Sequence, residues 1–471
     1  MKVLLVNPPT DLIIRSELPG HVGKELGHFP PLGLLYLAAF ARQSGRHQVA
    51  LLDMPARRVT LATLKEQIRK DRPDLVGVTC ITHNLAGVKA VADAVKEADP
   101  RIWVCMGGPH VVQFPAESVS FDSIDFAISG EGEHPFLALL DALDAGDDLR
   151  RVPSLCYKEN GRAVPAAAPA VTTDIESLPV PARDLVDQGD YFYILGNRAT
   201  FTTVLSSRGC PFRCTFCATL HGTYRARSAR SVVDEMVGCR DAGAEEIHFI
   251  DDTFNLRKER LAEVSQEILD RGLRLKWSFR GRADGIYEGG MALAARAGCS
   301  RFHLGVETGT DEGMKALKKG VTVDQVRNAV RLARKYGIVS AAYFILGCPH
   351  EKSRRDILET IRFAVRLDPD FAMFNIMAIY PGTALFEEAV SKGLLAPDFW
   401  RGFARDPDPE FRIPLWEEHL DRFELERLMS HAYRRFYWRP GPIFRNLRTV
   451  AGPADLGRKA VAALSILLGR R

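Results

Sequence analysis

The stretch Leu205-Ser-Ser-Arg-Gly-Cys-Pro-Phe-Arg-Cys-Thr-Phe-Cys217 constrains this chain more than any other. It sets Cys210, Cys214 and Cys217 in a Cys-x-x-x-Cys-x-x-Cys array directly after an apolar, β-branched run. Three thiolates at that spacing can grip three corners of an iron–sulfur cube, with no fourth cysteine nearby for the last iron. An iron without a protein ligand is open to substrate or cofactor, as the open position of a catalytic zinc is. Two other readings are weaker. Zinc sites pair Cys or His ligands across a longer spacer, but Cys239 has no neighbouring cysteine and His221 stands alone. A disulfide framework needs an oxidising compartment, and Met1-Lys-Val-Leu-Leu-Val-Asn-Pro-Pro9 is too short in its apolar run for a secretion signal.

The 471 residues suggest two to four domains with material for sizeable cores. A hydrophobic content of 46% and a charged content of 26% are those of a globular protein in water. The net charge of +4 makes no case for nucleic acid. No apolar run reaches the roughly 18 residues that span a bilayer. Nine cysteines, an odd number, fit reduced thiols and a cytoplasmic setting, where an oxygen-sensitive cluster also survives.

Residues 1 to about 146 alternate short β-rich runs with helical periods: Lys2–Val6, Gln48–Asp53, Leu75–Thr79, Ile102–Met106 and Phe126–Ile128 read as strands. Leu32–Ser44, Leu61–Lys70, Leu85–Ala98 and His134–Ala145 read as helices. That alternation predicts an α/β domain, a doubly wound parallel sheet, which binds ligands outside the carboxyl ends of its strands. The loops there carry Thr79, Thr82, Gly107, Gly108 and Glu131. Paired glycines let a backbone approach a ligand, and hydroxyls at a helix start cap it or bond the ligand. Ordinary tight turns need the same residues, so the loops alone leave both readings open.

Residues 147–200 read as a linker, with a hairpin in Ser154–Val164 around Asn160-Gly161. From 201 to 384 a regular beat returns. Strands are expected at Glu246–Ile250, Leu275–Arg282, Arg301–Glu307, Ala341–Leu346 and Phe371–Ala378, with helices between them. Counting the strand that leads into Cys210, six parallel strands with outer helices are expected. In barrels of this kind the reacting groups gather at the C-terminal strand ends.

The cysteine array resembles that of the radical SAM (S-adenosylmethionine) enzymes. Pro30–Ala38, Gly107-Gly-Pro-His110 and Asp125–Glu133 are similar to segments of the cobalamin-binding domain fused ahead of many of them. The resemblance covers nearly the entire chain. It is closest to the branch of the anaerobic magnesium-protoporphyrin ester cyclase and the hopanoid-modifying enzymes. It implies a Rossmann-like cobalamin domain, a partial (β/α)6 barrel, a [4Fe-4S] cluster on Cys210, Cys214 and Cys217, SAM on the open iron, and an external electron donor of flavodoxin or ferredoxin type. In such enzymes one electron from the cluster cleaves SAM to a 5′-deoxyadenosyl radical. The Asp-x-His-x-x-Gly signature that ligates cobalt in several B12 enzymes is missing, and His83, His110 and His134 do not rebuild it. Many members of the family hold cobalamin without it.

Site residues follow from the same resemblance. Phe216 would lie beside the adenine, with a packing role as its alternative. Asp251 or Asp252 would meet the SAM amino group, where helix capping is the other reading. Arg282 would anchor the SAM carboxylate or orient substrate, unless it only forms a surface ion pair. Glu307, in Leu304-Gly-Val-Glu-Thr-Gly309, would accept the ribose hydroxyls. Ile345 would pack on adenine and Gly347 permit close approach. Cys348 reads as a small buried thiol, and Tyr380-Pro-Gly-Thr383 would shape the substrate side.

Residues 385–471 read as helical and basic. Leu425, Leu428, Met429, Ala432 and Phe436 repeat at helical spacing, as in a helix packed across the barrel mouth. Arg458–Leu468 suggests contact with a membrane surface, which would place the protein peripherally at the inner face. The leading functional expectation is a cobalamin-dependent radical SAM enzyme that abstracts hydrogen from an unactivated carbon. Methylation or ring formation on a small, lipid-like or polycyclic metabolite would follow. The alternatives are a cyclase, dehydratase or rearrangement enzyme whose first domain has lost cobalamin, and a non-catalytic B12 or redox sensor. A methylthiotransferase is disfavoured because Cys80, Cys105 and Cys156 are too dispersed for a second triad.

Overall fold

The structure, a computed structural model, describes residues 1–14, 27–193, 200–219 and 222–441. The expectations for His221 and for the basic tail from residue 442 onward lie outside the described residues. The chain divides into two compact units: described residues 1–14, 30–191 and 396–412 in the first, the rest in the second.

The first unit is built on strands β1 (Lys2–Asn7), β2 (Gln48–Asp53), β3 (Leu75–Thr79), β4 (Trp103–Gly107) and β5 (Phe126–Ile128), all parallel. Helices α1 (Leu32–Gln43), α2 (Leu61–Asp71), α3 (Leu85–Ala98) and α4 (Glu133–Ala145) connect or follow them. Both faces of the sheet are covered, which is why the strands are apolar at consecutive positions rather than alternate ones. Val3 and Leu5 pack with Leu35 of α1 and Leu139 of α4, while Leu4 and Val6 are buried as well. The hairpin strands β6 (Leu155–Glu159) and β7 (Arg162–Val164) add antiparallel to β5, giving the order β2-β1-β3-β4-β5-β6-β7. Asn160 and Gly161 both take positive φ (51° and 76°), as a tight two-residue turn requires. The hairpin expected in a linker is therefore part of the sheet: Leu155 and Cys156 are buried, and β5 would otherwise be an open edge. A helix from the far end of the sequence, Phe399–Arg405, also belongs to this unit, with Arg401 and Arg405 beside the buried Glu117.

The second unit holds six parallel strands in sequence order: β8 (Phe201–Val204), β9 (Glu246–Phe249), β10 (Lys276–Gly281), β11 (Cys299–Glu307), β12 (Val339–Leu346) and β13 (Phe371–Ile376). Between them run α5 (Ala229–Asp241), α6 (Arg260–Asp270), α7 (Glu288–Arg296), α8 (Asp311–Ala316), α9 (Val323–Lys335) and α10 (Arg354–Leu367), followed by α11 (Ala384–Ser391) and α12 (Arg422–Tyr437). Period-two alternation sorts each strand. Ile247, Phe249, Trp277, Phe279, Phe302, Leu304, Phe344 and Phe374 enter the core under the helices. The other positions, among them His248, Arg280, His303 and Tyr343, face the opposite side, the lumen of the open barrel.

Helix α12 lies along the edge strand rather than across the barrel mouth. The Tyr433 hydroxyl accepts from the Phe374 amide and donates to the Phe374 carbonyl (3.2 and 3.1 Å). The Tyr437 hydroxyl does the same at Ala372 (3.1 and 2.8 Å). Two phenols thus stand in for the next strand and satisfy backbone groups that an edge leaves unpaired. The apolar stripe read from the sequence is the face buried here.

Candidate active site

The cysteine loop is held at its neck by charge and hydrogen bonds. After β8 the Asp251 carboxylate accepts from the Ser206 amide (2.7 Å), the Ser206 hydroxyl and the Ser207 hydroxyl (2.8 Å). Asp251 is buried, which pushes its carboxyl up, while these donors pull it back. Its oxygens are committed to the loop, whereas the neighbouring Asp252 is exposed. Arg227 forms a buried pair with Glu235 and donates to the Leu205 carbonyl (3.2 Å). Gly209 has φ 82°, and a Cβ there would stand 2.6 Å from the Thr223 carbonyl oxygen, so only glycine lets the chain turn into the loop.

Within the loop the Cys217 amide donates to the Cys214 carbonyl (3.1 Å), winding those two thiols onto one turn. Cys210 lies 3.7 Å from the Thr253 hydroxyl in the loop after β9. The Thr215 amide donates to Leu317 and its carbonyl accepts from Leu385, so segments after α8 and at the start of α11 brace the loop. The donor set suits an iron–sulfur cluster. The six other cysteines are buried, and only these three are partly open to an incoming group. Among the described residues no three His, Cys, Asp or Glu side chains gather closely enough to hold a single metal ion.

Three residues expected around SAM meet in one place. Phe216, Glu307 and Ile345 line a cavity of about 210 Å³, together with Asn375, Met377 and Tyr380. Phe216 and Ile345 rest on a small apolar cluster that includes Leu317, Cys348, Met377 and Trp416. The Cys348 thiol is fully buried, donates to the Ile345 carbonyl (3.5 Å) and is raised by burial, as an inert packing thiol would be. Glu307 has φ 67° at a break in the β11–β12 register, a left-handed conformation uncommon for a residue with a side chain. Its carboxylate accepts from Lys319 Nζ at 2.6 Å. Gly305 makes room for that pair, since a Cβ there would lie 2.4 Å from Glu307 Oε1.

Arg282 and Gly347 take more definite tasks than the sequence assigned. The Arg282 guanidinium lies 3.5 Å from the centre of the Phe212 ring, inside the cysteine motif. It also donates twice to Asp284 (3.0 Å each) and once to the Gly320 carbonyl (3.2 Å). It ties the cysteine loop to the segment that carries Lys319. At Gly347 (φ 75°) the close approach comes from Leu425 of α12, 2.7 Å from where a Cβ would be. The Gly347 and Cys348 amides donate to Glu351 (2.7 and 3.1 Å), which also accepts from Thr360 (2.7 Å). Burial pushes Glu351 up to about 7 despite these donors.

In the first unit the strand ends show which loop residues are free. Gly108 has φ 118°, and a Cβ there would stand 2.4 Å from the Cys80 carbonyl oxygen. Glu131 accepts from the Thr172 amide (2.7 Å), and its own amide donates to Ala170. Both residues serve the packing of their own loops rather than an open ligand surface. Gly107 differs, because a Cβ on it meets nothing within 4 Å. Thr82 shares a 3.1 Å hydrogen bond with His110 Nδ1, while His110 Nε2 is buried without a hydrogen-bond partner. Burial holds His110 neutral, down to about 3. Thr79 closes β3, half-buried, beside these groups. A carboxylate not singled out from sequence, Asp53, ends β2 buried and accepts from Asn7 (2.9 Å) and the Tyr191 hydroxyl (3.1 Å). Its neighbours come from distant parts of the chain, so no local motif announces it.

Residues 204–364 match the family model for the radical SAM superfamily, and residues 22–140 match that for the B12 binding domain. An uncharacterized methyltransferase of Pyrococcus horikoshii is 33% identical over 452 residues, 95% of each chain. The anaerobic magnesium-protoporphyrin IX monomethyl ester cyclase of Rubrivivax gelatinosus is 29% identical over 87% of this chain and 74% of its own. The fold is shared with the radical S-adenosylmethionine methyltransferase TsrM from Kitasatospora setae, at a TM-score of 0.67 and 24% identity. That match covers 83% of this chain and 76% of that one.

Proposed function

Because this chain is a radical SAM enzyme with a B12-binding domain, we propose that it is a cobalamin-dependent methyltransferase acting on an unactivated carbon of a small molecule. The observation that carries the SAM assignment is the shared cavity: Phe216 of the cysteine loop and Glu307 and Ile345, from two different strand ends, line one space. A radical SAM domain implies a [4Fe-4S] cluster and SAM, and a B12-binding domain implies cobalamin.

When bound, these groups supply reductive cleavage of SAM and a transferable methyl group, and the protein positions and shields them. Cys210, Cys214 and Cys217 hold the cluster. Phe216 and Ile345 offer apolar faces to the adenine, Glu307 offers acceptors to the ribose hydroxyls, and the exposed carboxylate of Asp252 is the one offered to the SAM ammonium. Arg282 keeps the cysteine loop and the Lys319 segment in register, so thiols and Glu307 hold one geometry. In the first unit Gly107 leaves room for a bulky ligand to approach the backbone, with Thr79 and Thr82 beside it. The buried, unpartnered His110 Nε2 is a polar atom that a ligand amide could satisfy. A protein or small-molecule electron donor must feed the cluster.

The cyclase relative favours a second reading, ring closure in place of methyl transfer. Reconstitution under anaerobic conditions with iron, sulfide and hydroxocobalamin, followed by methyl-labelled SAM, separates the two. Methyl transfer predicts near-equimolar corrinoid and label appearing on it. A reconstituted protein that retains no corrinoid would sink the methyltransferase reading. No helix among the described residues is long and apolar enough to cross a membrane.

A further inference from the structure

The lumen face of the barrel carries a polar group that no role above uses. On β10 and β11, Arg280 and His303 are direct cross-strand partners. His303 Nδ1 is 2.7 Å from the Tyr343 hydroxyl, and its Nε2 is 3.4 Å from the Tyr193 hydroxyl. His248 Nδ1 is 2.7 Å from Ser278 Oγ, and the two imidazole rings meet edge to face at 4.9 Å. Burial keeps both histidines neutral and both tyrosines protonated, and the Arg280 charge reinforces the neutral state of the imidazoles. The layer is polar, internally satisfied and without negative charge.

Arg280 stands against that layer with its charge uncompensated. Neighbouring cations are paired: Arg301 with Glu246 (3.2 Å), Lys319 with Glu307 (2.6 Å) and Arg282 with Asp284 (3.0 Å). The Arg280 guanidinium is exposed and makes no hydrogen bond or ion pair with the described residues. Exposed on the lumen wall and free of a protein anion, this guanidinium is available to the anion of a ligand. Two residues farther along the chain, just past the end of β10, Arg282 touches the cysteine loop, so at about 3.3 Å per residue Arg280 sits roughly 7 Å down the lumen from it. The far wall offers Phe371 and Met373, whose neighbours Ala372 and Phe374 take the outward positions.

We propose that Arg280, with the Tyr343 hydroxyl, is the specificity-determining anchor for an anionic oxyacid group of the substrate, a carboxylate or a phosphate. The guanidinium fork matches either group bidentately. The Phe371–Met373 wall takes the apolar part of the substrate, leaving one of its carbons toward the cysteine loop. This deepens the methyltransferase reading and rests on it for the identification of the lumen as a substrate space. The substrate is thereby an acidic molecule rather than a neutral lipid.

The test needs no turnover. The full-length reconstituted protein is treated with phenylglyoxal at constant ionic strength, alone or with inorganic phosphate, propionate or extra chloride. Modification of Arg280 is followed by peptide mass spectrometry. The proposal expects phosphate, propionate or both to slow modification at Arg280 at least fivefold, and chloride not to. Phosphate alone protecting assigns a phosphorylated substrate, and propionate alone a carboxylic acid. Protection by neither, or equally by chloride, overturns the proposal. Calorimetric titration of the protecting anion should weaken at least tenfold in Arg280→Gln and only a few-fold in Arg280→Lys, with circular dichroism and cluster absorbance confirming fold. Arg280→Gln binding as tightly as the parent protein also overturns it. Failure of SAM cleavage, measured separately, bears on the radical reading and leaves this one to its own result.

Discussion

At the scale of single residues, carboxylates in similar surroundings do different work according to what each accepts from. Glu307 is held in a left-handed conformation opposite Lys319, the kind of local strain that persists only where the surroundings impose it. Lys319→Met leaves a carboxylate about nine-tenths buried without its cation and should cost about 3 kcal/mol in chemical denaturation. Glu307→Gln should weaken SAM binding about tenfold while the iron content stays that of the parent protein. Asp251 predicts the reverse pattern. Asp251→Ala strips three donors of their acceptor, about 2 kcal/mol, so iron per chain should fall while SAM affinity of the loaded fraction is retained. Glu351 gives a pH signature. Its folded value of about 7 lies above the ordinary 4.5, so its contribution to stability is full below pH 4.5 and is lost as pH rises through 7. The span corresponds to roughly 3 kcal/mol. Denaturant midpoints between pH 5 and 8 should fall in the parent protein and fall less in Glu351→Gln.

The legible and the hidden residues also separate at this scale. Phe216, Glu307 and Ile345, which line one cavity, were singled out because the short strings that hold them resemble family motifs, next to a cysteine or a strand-end glycine. Lys319 was not, since it follows a short helix in a loop with no periodic signal. Arg280, His303 and Tyr343 were hidden for a different reason. In a strand covered on its outer face, alternation shows that two faces differ, but it does not say that the polar one encloses a lumen.

At the scale of elements, the strand–helix alternation located both sheets, because buried parallel strands leave long apolar runs that few other structures need. The hairpin at 155–164 read correctly as a hairpin and wrongly as part of a linker. Turn chemistry is local, but the partner strand β5 lies some 30 residues away, beyond any local signal. Helix α12 was misplaced for the same reason: its apolar stripe announces burial without naming the surface it buries against. Its two phenols carry the distinguishing prediction. Tyr433→Phe removes the partner of the Phe374 amide and carbonyl and should cost about 1 kcal/mol. Amide exchange at Phe374 should quicken while that at Ala372, still held by Tyr437, stays slow. Equal quickening at both amides would mean the helix has left the edge as a body.

At the scale of the whole molecule, two units each present the C-terminal ends of a parallel sheet, one in the B12-binding domain and one with a cysteine loop and a cavity lined by Phe216, Glu307 and Ile345. The account stands on the claim that the cysteine loop works with the Glu307 cavity on SAM. The most direct measurement is release of 5′-deoxyadenosine from SAM by the full-length protein, anaerobically reconstituted with iron and sulfide and reduced with dithionite. The account predicts 5′-deoxyadenosine from the parent protein, none from Cys210→Ala, and release at least tenfold slower from Glu307→Ala. A fully loaded parent protein that releases no more than Cys210→Ala would contradict it.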